Sequence, residues 1–293
     1  MTEAIDPTFD GFDGWSMARR LEVLVLANSR AVAAVAAALP DLTRAADGLA
    51  ARLLRGGRIV YVGAGTSGRL ALQDAAELPP TFDFDATVVL LAGGAEAGET
   101  ASEGAEDDAL AASRAVDEAD VGPLDALIAL AASGRTPYTV AAVEHARARG
   151  AFTIGIANNP GTPLLAAAHV GVLLDTGPEV VAGSTRLVAG TAQKIALNAL
   201  STAPMAELGA VHGNLMVAMR PKNEKLRRRA VQIVQSATGA AEETARAALE
   251  DGAWDLRVAI VMLDARVPSD LARRLLTAHG GRVRAAIAGA ADG

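Results

Sequence analysis

Apolar positions in the middle of this chain fall in short, nearly unbroken runs at residues 58–62, 87–92, 125–131, 152–157 and 170–174. Between most of these runs the spacing turns helical, at 66–77, 106–119 and 137–149. A strand covered on both faces carries no polar alternation, because neither side meets water. Such strands alternating with amphipathic helices predict a parallel sheet between helical layers. Five of them predict a flavodoxin-like, doubly wound α/β fold. Ligands in sheets of that kind bind beyond the carboxyl ends of the strands.

The flanks read differently. Residues 1–14 are rich in Asp, Gly and Phe without periodicity and read as an arm or loop, while 15–55 are helical with a break near Pro40. After residue 183 strand signals fade. Helical spacing returns at 185–207 and 222–236, around the polar segment His212–Met219. Gly239 marks an expected boundary, and 240–290 read as a small helical bundle punctuated by Gly252, Pro268 and Gly280-Gly281. The predicted organisation is an arm with helices over 1–50, a sheet domain over 51–236 and a helical domain over 237–293.

The first strand run leads into a glycine-rich turn, Gly63 to Gly68, with Thr66 and Ser67 at its centre, and a helix follows at once. Strand, glycine turn and helix together build an anion site. Free backbone N–H groups and the positive end of the helix dipole point at one spot. Glu77 lies at the far end of this helix, just before Pro79 and Pro80, which are expected to stop it. The spacing Gly63-x-Gly65-x-x-Gly68 also fits the dinucleotide fingerprint. That fingerprint wants an acidic residue after the second strand, whereas Asp83 and Asp85 come before it. Paired hydroxyls suit a phosphate monoester better, and a tight turn with no ligand is the bland alternative.

A second turn of the same form, Ala131-Ala132-Ser133-Gly134-Arg135-Thr136-Pro137, follows the third strand. Ser133 can cap the next helix and Thr136 can donate from its first turn. Arg135 reads as an electrostatic clamp or as a merely exposed charge. Acidic residues cluster at Glu103, Glu106, Asp107 and Asp108. They read as favourable charge at a helix N-terminus, or as a base facing the ligand through Glu103 or Glu106. Glu77 and this cluster could flank one substrate and divide acid and base roles. After the fifth strand, Glu179 and Ser184 again place a carboxylate and a hydroxyl where a strand gives way to a helix.

Composition narrows the chemistry. The 293 residues contain no cysteine, which excludes disulfides, thiolate metal sites and a cysteine nucleophile. His145, His169, His212 and His279 show no metal-ligand spacing, so no metal is expected. Net charge is −7, and the one dense basic run, Arg227-Arg228-Arg229, reads as a solvated helix face. Nucleic acid is therefore not an expected partner. No basic-then-apolar leader and no apolar stretch of membrane-spanning length is evident, so a cytoplasmic protein without a membrane partner is expected.

Taken together, GAGTSGRL (63–70), DAAELPPTF (74–82), EGAEDD (103–108), AASGRTPY (131–138), GPEVVAGSTRL (177–187), AGTAQK (189–194), and GNLMV with NEKL (213–217, 223–226) resemble the N-acetylmuramic acid 6-phosphate etherase family. That family carries the sugar isomerase (SIS) fold, and the match spans roughly residues 50–290. The resemblance implies a lyase of amino sugar catabolism and cell-wall recycling. Such an enzyme opens the sugar phosphate to its aldehyde, removes the C2 proton, expels lactate from C3 and adds water. It implies Glu77 as the acid that protonates departing lactate and later activates water, and Glu106 as the C2 base. It implies phosphate contacts from Thr66, Ser67, Ser133 and Thr136; Arg135, Glu179 and Ser184 are expected as further substrate contacts from their places in the turns. It further implies a homodimer and no metal or nucleotide cofactor.

The chain departs from the family pattern at Leu78, Val188 and Ala218, and its first fifty residues match poorly, so a divergent member is expected. Related readings on the same fold are a non-catalytic sugar phosphate sensor, like the glucokinase regulatory protein, and a sugar phosphate isomerase. A sensor needs the phosphate turns but not both carboxylates. An isomerase needs no acid for a leaving group.

Overall fold

The computed structural model describes residues 2–98 and 104–291. The chain divides into two compact units, one of Met1–Ala75 with Ala86–Ser201 and one of Ala76–Asp85 with Thr202–Gly293.

The first unit opens with two single-turn 3-10 helices, Pro7–Phe9 and Phe12–Gly14, followed by α1 (Met17–Ala27), α2 (Ser29–Ala37) and α3 (Leu39–Leu53). The break falls at Ala38 rather than at Pro40. Pro40 sits in the first turn of α3, where a missing N–H costs nothing. The arm is not free: Thr2 is buried, its N–H donates to Asn159 Oδ1 at 3.0 Å and its hydroxyl accepts from Asn159 Nδ2 at 2.9 Å.

The sheet is built from β1 (Ile59–Gly63), β2 (Thr87–Leu91), β3 (Ala126–Leu130), β4 (Phe152–Ala157) and β5 (Val170–Leu173). Its order is β2-β1-β3-β4-β5 and every pairing is parallel, with Gly63 beside both Leu91 and Leu130. This is the expected doubly wound α/β sheet, with its switch point between β1 and β3. Every residue of β1 and β3 is buried, which explains their unbroken apolar runs. Strand crossovers run through α4 (Gly65–Phe82), α5 (Ala109–Glu118), α6 (Pro137–Ala148) and the short α7 (Pro163–Ala167); α8 (Val188–Glu207) follows β5. Val60, Val62, Leu127 and Ala129 pack with Tyr138, Ala142 and Val143 of α6, while α3 also packs on β3, β4 and β5. At the amino end of the strands, Asp125 holds the Arg58 guanidinium at 2.8 Å and accepts the backbone N–H groups of Arg58 and Gly122.

The helix α4 does not stop at Pro79. It runs through Pro79 and Pro80 to Phe82. Each proline removes one N–H, so the carbonyls of Ala75 and Ala76 lose their usual helical donors. The last turn closes because a proline can still accept: Asp83 N–H donates to the Pro79 carbonyl at 3.1 Å. Asp83, at φ +53°, is the left-handed residue that ends the helix.

The second unit holds a two-residue hairpin, β6 (Val211–His212) with β7 (Leu215–Met216), and then α9 (Glu224–Thr238), α10 (Glu242–Asp251), α11 (Leu256–Ala265), α12 (Ser269–Ala278) and α13 (Val283–Ala291). These helices enclose a core that includes Val231, Val234, Leu249, Leu256, Ile260 and Leu276. Gly239, at φ +72°, is the C-terminal cap of α9 and donates to Gln235. The break read at this glycine is therefore a helix end inside one compact unit. Among the described residues no single helix is long and apolar enough to cross a membrane.

Candidate active site

The turn after β1 depends on two glycines that let helix and strand touch. A Cβ on Gly68 would lie 2.9 Å from the Gly63 carbonyl oxygen, and one on Gly63 would lie 2.8 Å from Gly68. The first helical bond closing α4 runs from Gly68 N–H to the Ala64 carbonyl at 3.1 Å. The N–H groups of Gly65, Thr66 and Ser67 precede it and, among the described residues, have no hydrogen-bond acceptor, the arrangement that suits an anion. Thr66 is half-buried and faces Gly190 of α8.

Ser67 differs from its expected role. Its hydroxyl donates to Gln193 Oε1 at 2.8 Å; Gln193 Nε2 donates to Asn158 Oδ1 at 2.9 Å, and Asn158 Nδ2 donates to the Leu174 carbonyl at 3.0 Å. A backbone carbonyl only accepts, so the direction of the whole chain is fixed from its inner end. The Ser67 hydroxyl proton is thus directed inward along this chain. Gln193 and Asn158 are fully buried, tie α4, α8, β4 and the end of β5 together, and were not singled out from the sequence. The signal was present in the polar pair Asn158-Asn159 directly after an apolar run and in the AGTAQK stretch. Asp74 is a second buried polar centre. It accepts from Tyr61 Oη at 2.8 Å and Ser201 Oγ at 3.2 Å, with Lys194 Nζ at 3.7 Å. Burial, and then the Asp74 charge, push the Tyr61 hydroxyl far above its ordinary pKa.

The turn after β3 lies across the switch point from the first, because β1 and β3 pair residue for residue. Gly134, at φ +65°, leaves no room for a side chain: a Cβ would sit 2.3 Å from Thr162 Oγ1. Ser133 Oγ accepts from Arg135 N–H at 3.1 Å, so it braces the turn rather than capping α6. Thr136 takes the cap position of α6 but makes no side-chain cap bond. Ser133 and Thr136 are half-buried and Arg135 is exposed.

Glu106 lies in a 3-10 turn, Ala105–Asp107, that packs against α6. It is exposed, and Asp108 after it caps α5 through Ala111 N–H. Glu103 lies outside the described residues. Burial first, and the Asp108 charge second, raise the pKa of Tyr138 in the first turn of α6. Glu77 is exposed on the part of α4 that belongs to the second unit. It lines a cavity of about 380 Å³ with Pro79, Thr81, Arg220, Lys222 and Arg229.

Glu179 is placed otherwise than expected. It is buried, and its two carboxylate oxygens accept from Val188 N–H at 3.0 Å and Ala189 N–H at 2.8 Å. Each oxygen thus accepts one N–H at the start of α8, so Glu179 caps that helix. Ser184 is half-buried in the turn before α8, its N–H bonded to the Val181 carbonyl. Among the described residues no group of three His, Asp or Glu is arranged to hold a metal ion.

Comparison with known proteins carries the identification. A family model described as the glucokinase regulatory protein N-terminal SIS domain matches residues 41–147, and the SIS domain model matches 108–203. An N-acetylmuramic acid 6-phosphate etherase of Deinococcus radiodurans is 50% identical, with 97% of this chain and 93% of that protein aligned. Etherases of Streptomyces coelicolor and Rubrobacter xylanophilus are 49% and 45% identical, covering 88% and 98% of this chain and 84% and 95% of theirs. Two solved structures share the fold. One is a Bacteroides fragilis protein described as a candidate phosphosugar isomerase involved in capsule formation (TM-score 0.50, 20% identity, 66% of this chain and 91% of that one). The other is a protein of Escherichia coli strain CFT073, solved as a complex (TM-score 0.50, 15% identity, 68% and 97%). The expectation of a divergent member is corrected, since the Deinococcus relative is 50% identical over 97% of this chain. With half its positions shared over almost the full length of a curated relative, the chain belongs to the N-acetylmuramic acid 6-phosphate etherase family.

Proposed function

We infer that the protein is a carbon–oxygen lyase that cleaves the lactyl ether of N-acetylmuramic acid 6-phosphate, giving N-acetylglucosamine 6-phosphate and D-lactate. The observation that carries this reading is the 50% identity with the Deinococcus etherase across 97% of the chain. Glu106 removes the C2 proton of the open-chain aldehyde, which lies beside the carbonyl and is therefore acidic. Glu77 protonates the departing lactate oxygen and then activates the water that adds back. The 6-phosphate sits at the two switch-point turns. It takes backbone N–H groups at the start of α4, the uncommitted Thr66 and Thr136 hydroxyls, and Ser133, with Arg135 outside. The Ser67–Gln193–Asn158 chain holds the first turn in place.

A second copy completes the site. The helix α1 supports this conclusion. It buries none of its residues and exposes Met17, Leu21 and Val25, a face that a partner would cover. The enzyme is thus a homodimer in which Glu77 serves the phosphate held by its partner. A charged sugar phosphate does not cross a membrane unaided, which supports a cytoplasmic enzyme. The sensor reading gains from the glucokinase regulatory protein match. Both carboxylates being present favours the enzyme.

Incubation with N-acetylmuramic acid 6-phosphate and a D-lactate assay tests the reading. Stoichiometric lactate is expected. Binding without any lactate would leave the sensor instead.

A further inference from the structure

The cavity beside Glu77 has a composition that the elimination step alone does not require. It lies wholly in the second unit, about 380 Å³ in volume. One part of its wall is apolar, from Pro79, Pro80, Met216 and Leu226, and another is cationic, from Arg220, Lys222 and Arg229. The charges are not balanced within it. Asp83 engages Arg220, with Oδ1 2.7 Å from Nε. Among the described residues neither Lys222 nor Arg229 has a carboxylate within ion-pair distance, whereas the neighbouring Arg228 is matched by Glu224 at 3.4 Å. Glu77 is the one remaining carboxylate of the wall.

We propose that this cavity recognises the carboxylate of the lactyl group, with Arg220 as the principal contact and Lys222 beside it. The inference rests on the etherase reading of Glu77. The leaving group has three features: an ether oxygen that needs a proton, a methyl group and a carboxylate. Glu77, the apolar wall and the cations offer one partner to each, and three contacts around one carbon fix its configuration. Arg220 suits the task because Asp83, 2.7 Å from its Nε, pairs with it by charge on that side. The guanidinium edge left over matches a carboxylate in two parallel hydrogen bonds. Asp83 is a positioning residue in this scheme, held at the end of the same helix as Glu77, so acid and clamp move as one piece. The cations also hold lactate as its anion while its alkoxide oxygen takes the proton from Glu77, so the product leaves as the hydroxy acid anion and charge balances.

The test compares two substrates, N-acetylmuramic acid 6-phosphate and its analogue with the lactyl carboxylate converted to the primary amide. The wild type should show a kcat/KM about 10- to 100-fold lower on the amide. Arg220→Met should lose that factor on the acid substrate and little on the amide, so that its preference nearly vanishes. Arg220→Lys should recover part of it. Asp83→Asn should weaken the preference while leaving solvent exchange at C2 intact, which a merely structural defect would not do. Wild-type release of lactate and of lactamide at equal efficiency overturns the inference and leaves the etherase reading standing. An Arg220→Met enzyme that keeps the full preference overturns it as well. Absence of lactate from the acid substrate overturns the etherase reading and this inference together. The wild-type comparison stands even if a variant does not fold.

Discussion

Glu106 and Glu77 are both exposed carboxylates, but they sit in different units and among different neighbours. Glu106 stands in an acidic turn packed on α6, and Glu77 in a cavity with three cations. General acids and bases of this kind contribute about 10²–10⁴-fold each. Glu106→Gln should abolish exchange of the C2 proton with solvent deuterium. Glu77→Gln should slow lactate release more than exchange, since proton removal precedes departure of the alkoxide. Deuterium incorporation at C2, followed beside lactate release, separates the two; equal loss of both signals in both variants would contradict the assignment. At this scale the sequence carried what lies in contiguous stretches. Thr66, Ser67, Ser133, Thr136 and Glu77 could be picked out because a glycine turn and a helix frame them. The Gln193–Asn158 bond joins residues 35 apart, and no local pattern marks a buried amide pair. Glu179 could not be read as a cap either, because it lies nine residues before the helix N–H it satisfies.

Helices and strands near the switch point are held by close backbone contact on one side and by an ion pair on the other. A methyl group at Gly68 would meet the Gly63 carbonyl oxygen at 2.9 Å and Leu91 Cδ2 at the same distance. Gly68→Ala should therefore push α4 off β1, at a cost of about 1–3 kcal/mol. If the N–H groups of this turn bind the phosphate as proposed, KM should rise along with the loss of thermal stability. A stable variant with unchanged KM would show that the turn tolerates the shift. At the other end of the sheet, burial pushes the Asp125 carboxyl up. The Arg58 guanidinium and the Gly122 and Arg58 N–H groups outweigh that and hold it below its ordinary value. A carboxylate with a depressed folded value stabilises the native state fully above the unfolded value of about 3.9, and loses that contribution as pH falls through the folded value. Asp125→Asn should lower stability by about 1–3 kcal/mol at neutral pH, and the gap to wild type should close below about pH 4. Denaturant unfolding at pH 7 and pH 3 measures it; a gap independent of pH would assign the loss to packing instead. The five strands were legible because each is covered on both faces and reads as pure apolar sequence. The hairpin β6–β7 was not, since two residues per strand carry no period. Nor was the passage of α4 through Pro79 and Pro80, since proline's local bias is against helix.

The whole molecule, read as a dimer, makes a demand that no single chain can meet. If Glu77 serves the partner's phosphate turns and the partner's Glu106, then two inactive variants can repair one another. In a Glu77→Gln chain paired with a Glu106→Gln chain, one site draws its base and turns from the first and its acid from the second, and is intact. The other site collects both substitutions. Unfolding and refolding an equal mixture yields half heterodimers with one good site each, so about one quarter of wild-type activity should return in a closed two-fold dimer. A site built within one chain predicts none, because every chain then carries a lesion. Refolding each variant alone supplies the baseline. A second pair of chains, each bearing Leu21→Asp and Val25→Asp on the exposed face of α1, should fail to dimerise by light scattering and should not complement. Recovery without dimers would separate that helix from the interface. No recovery between fully dimeric variants would return Glu77 to its own chain.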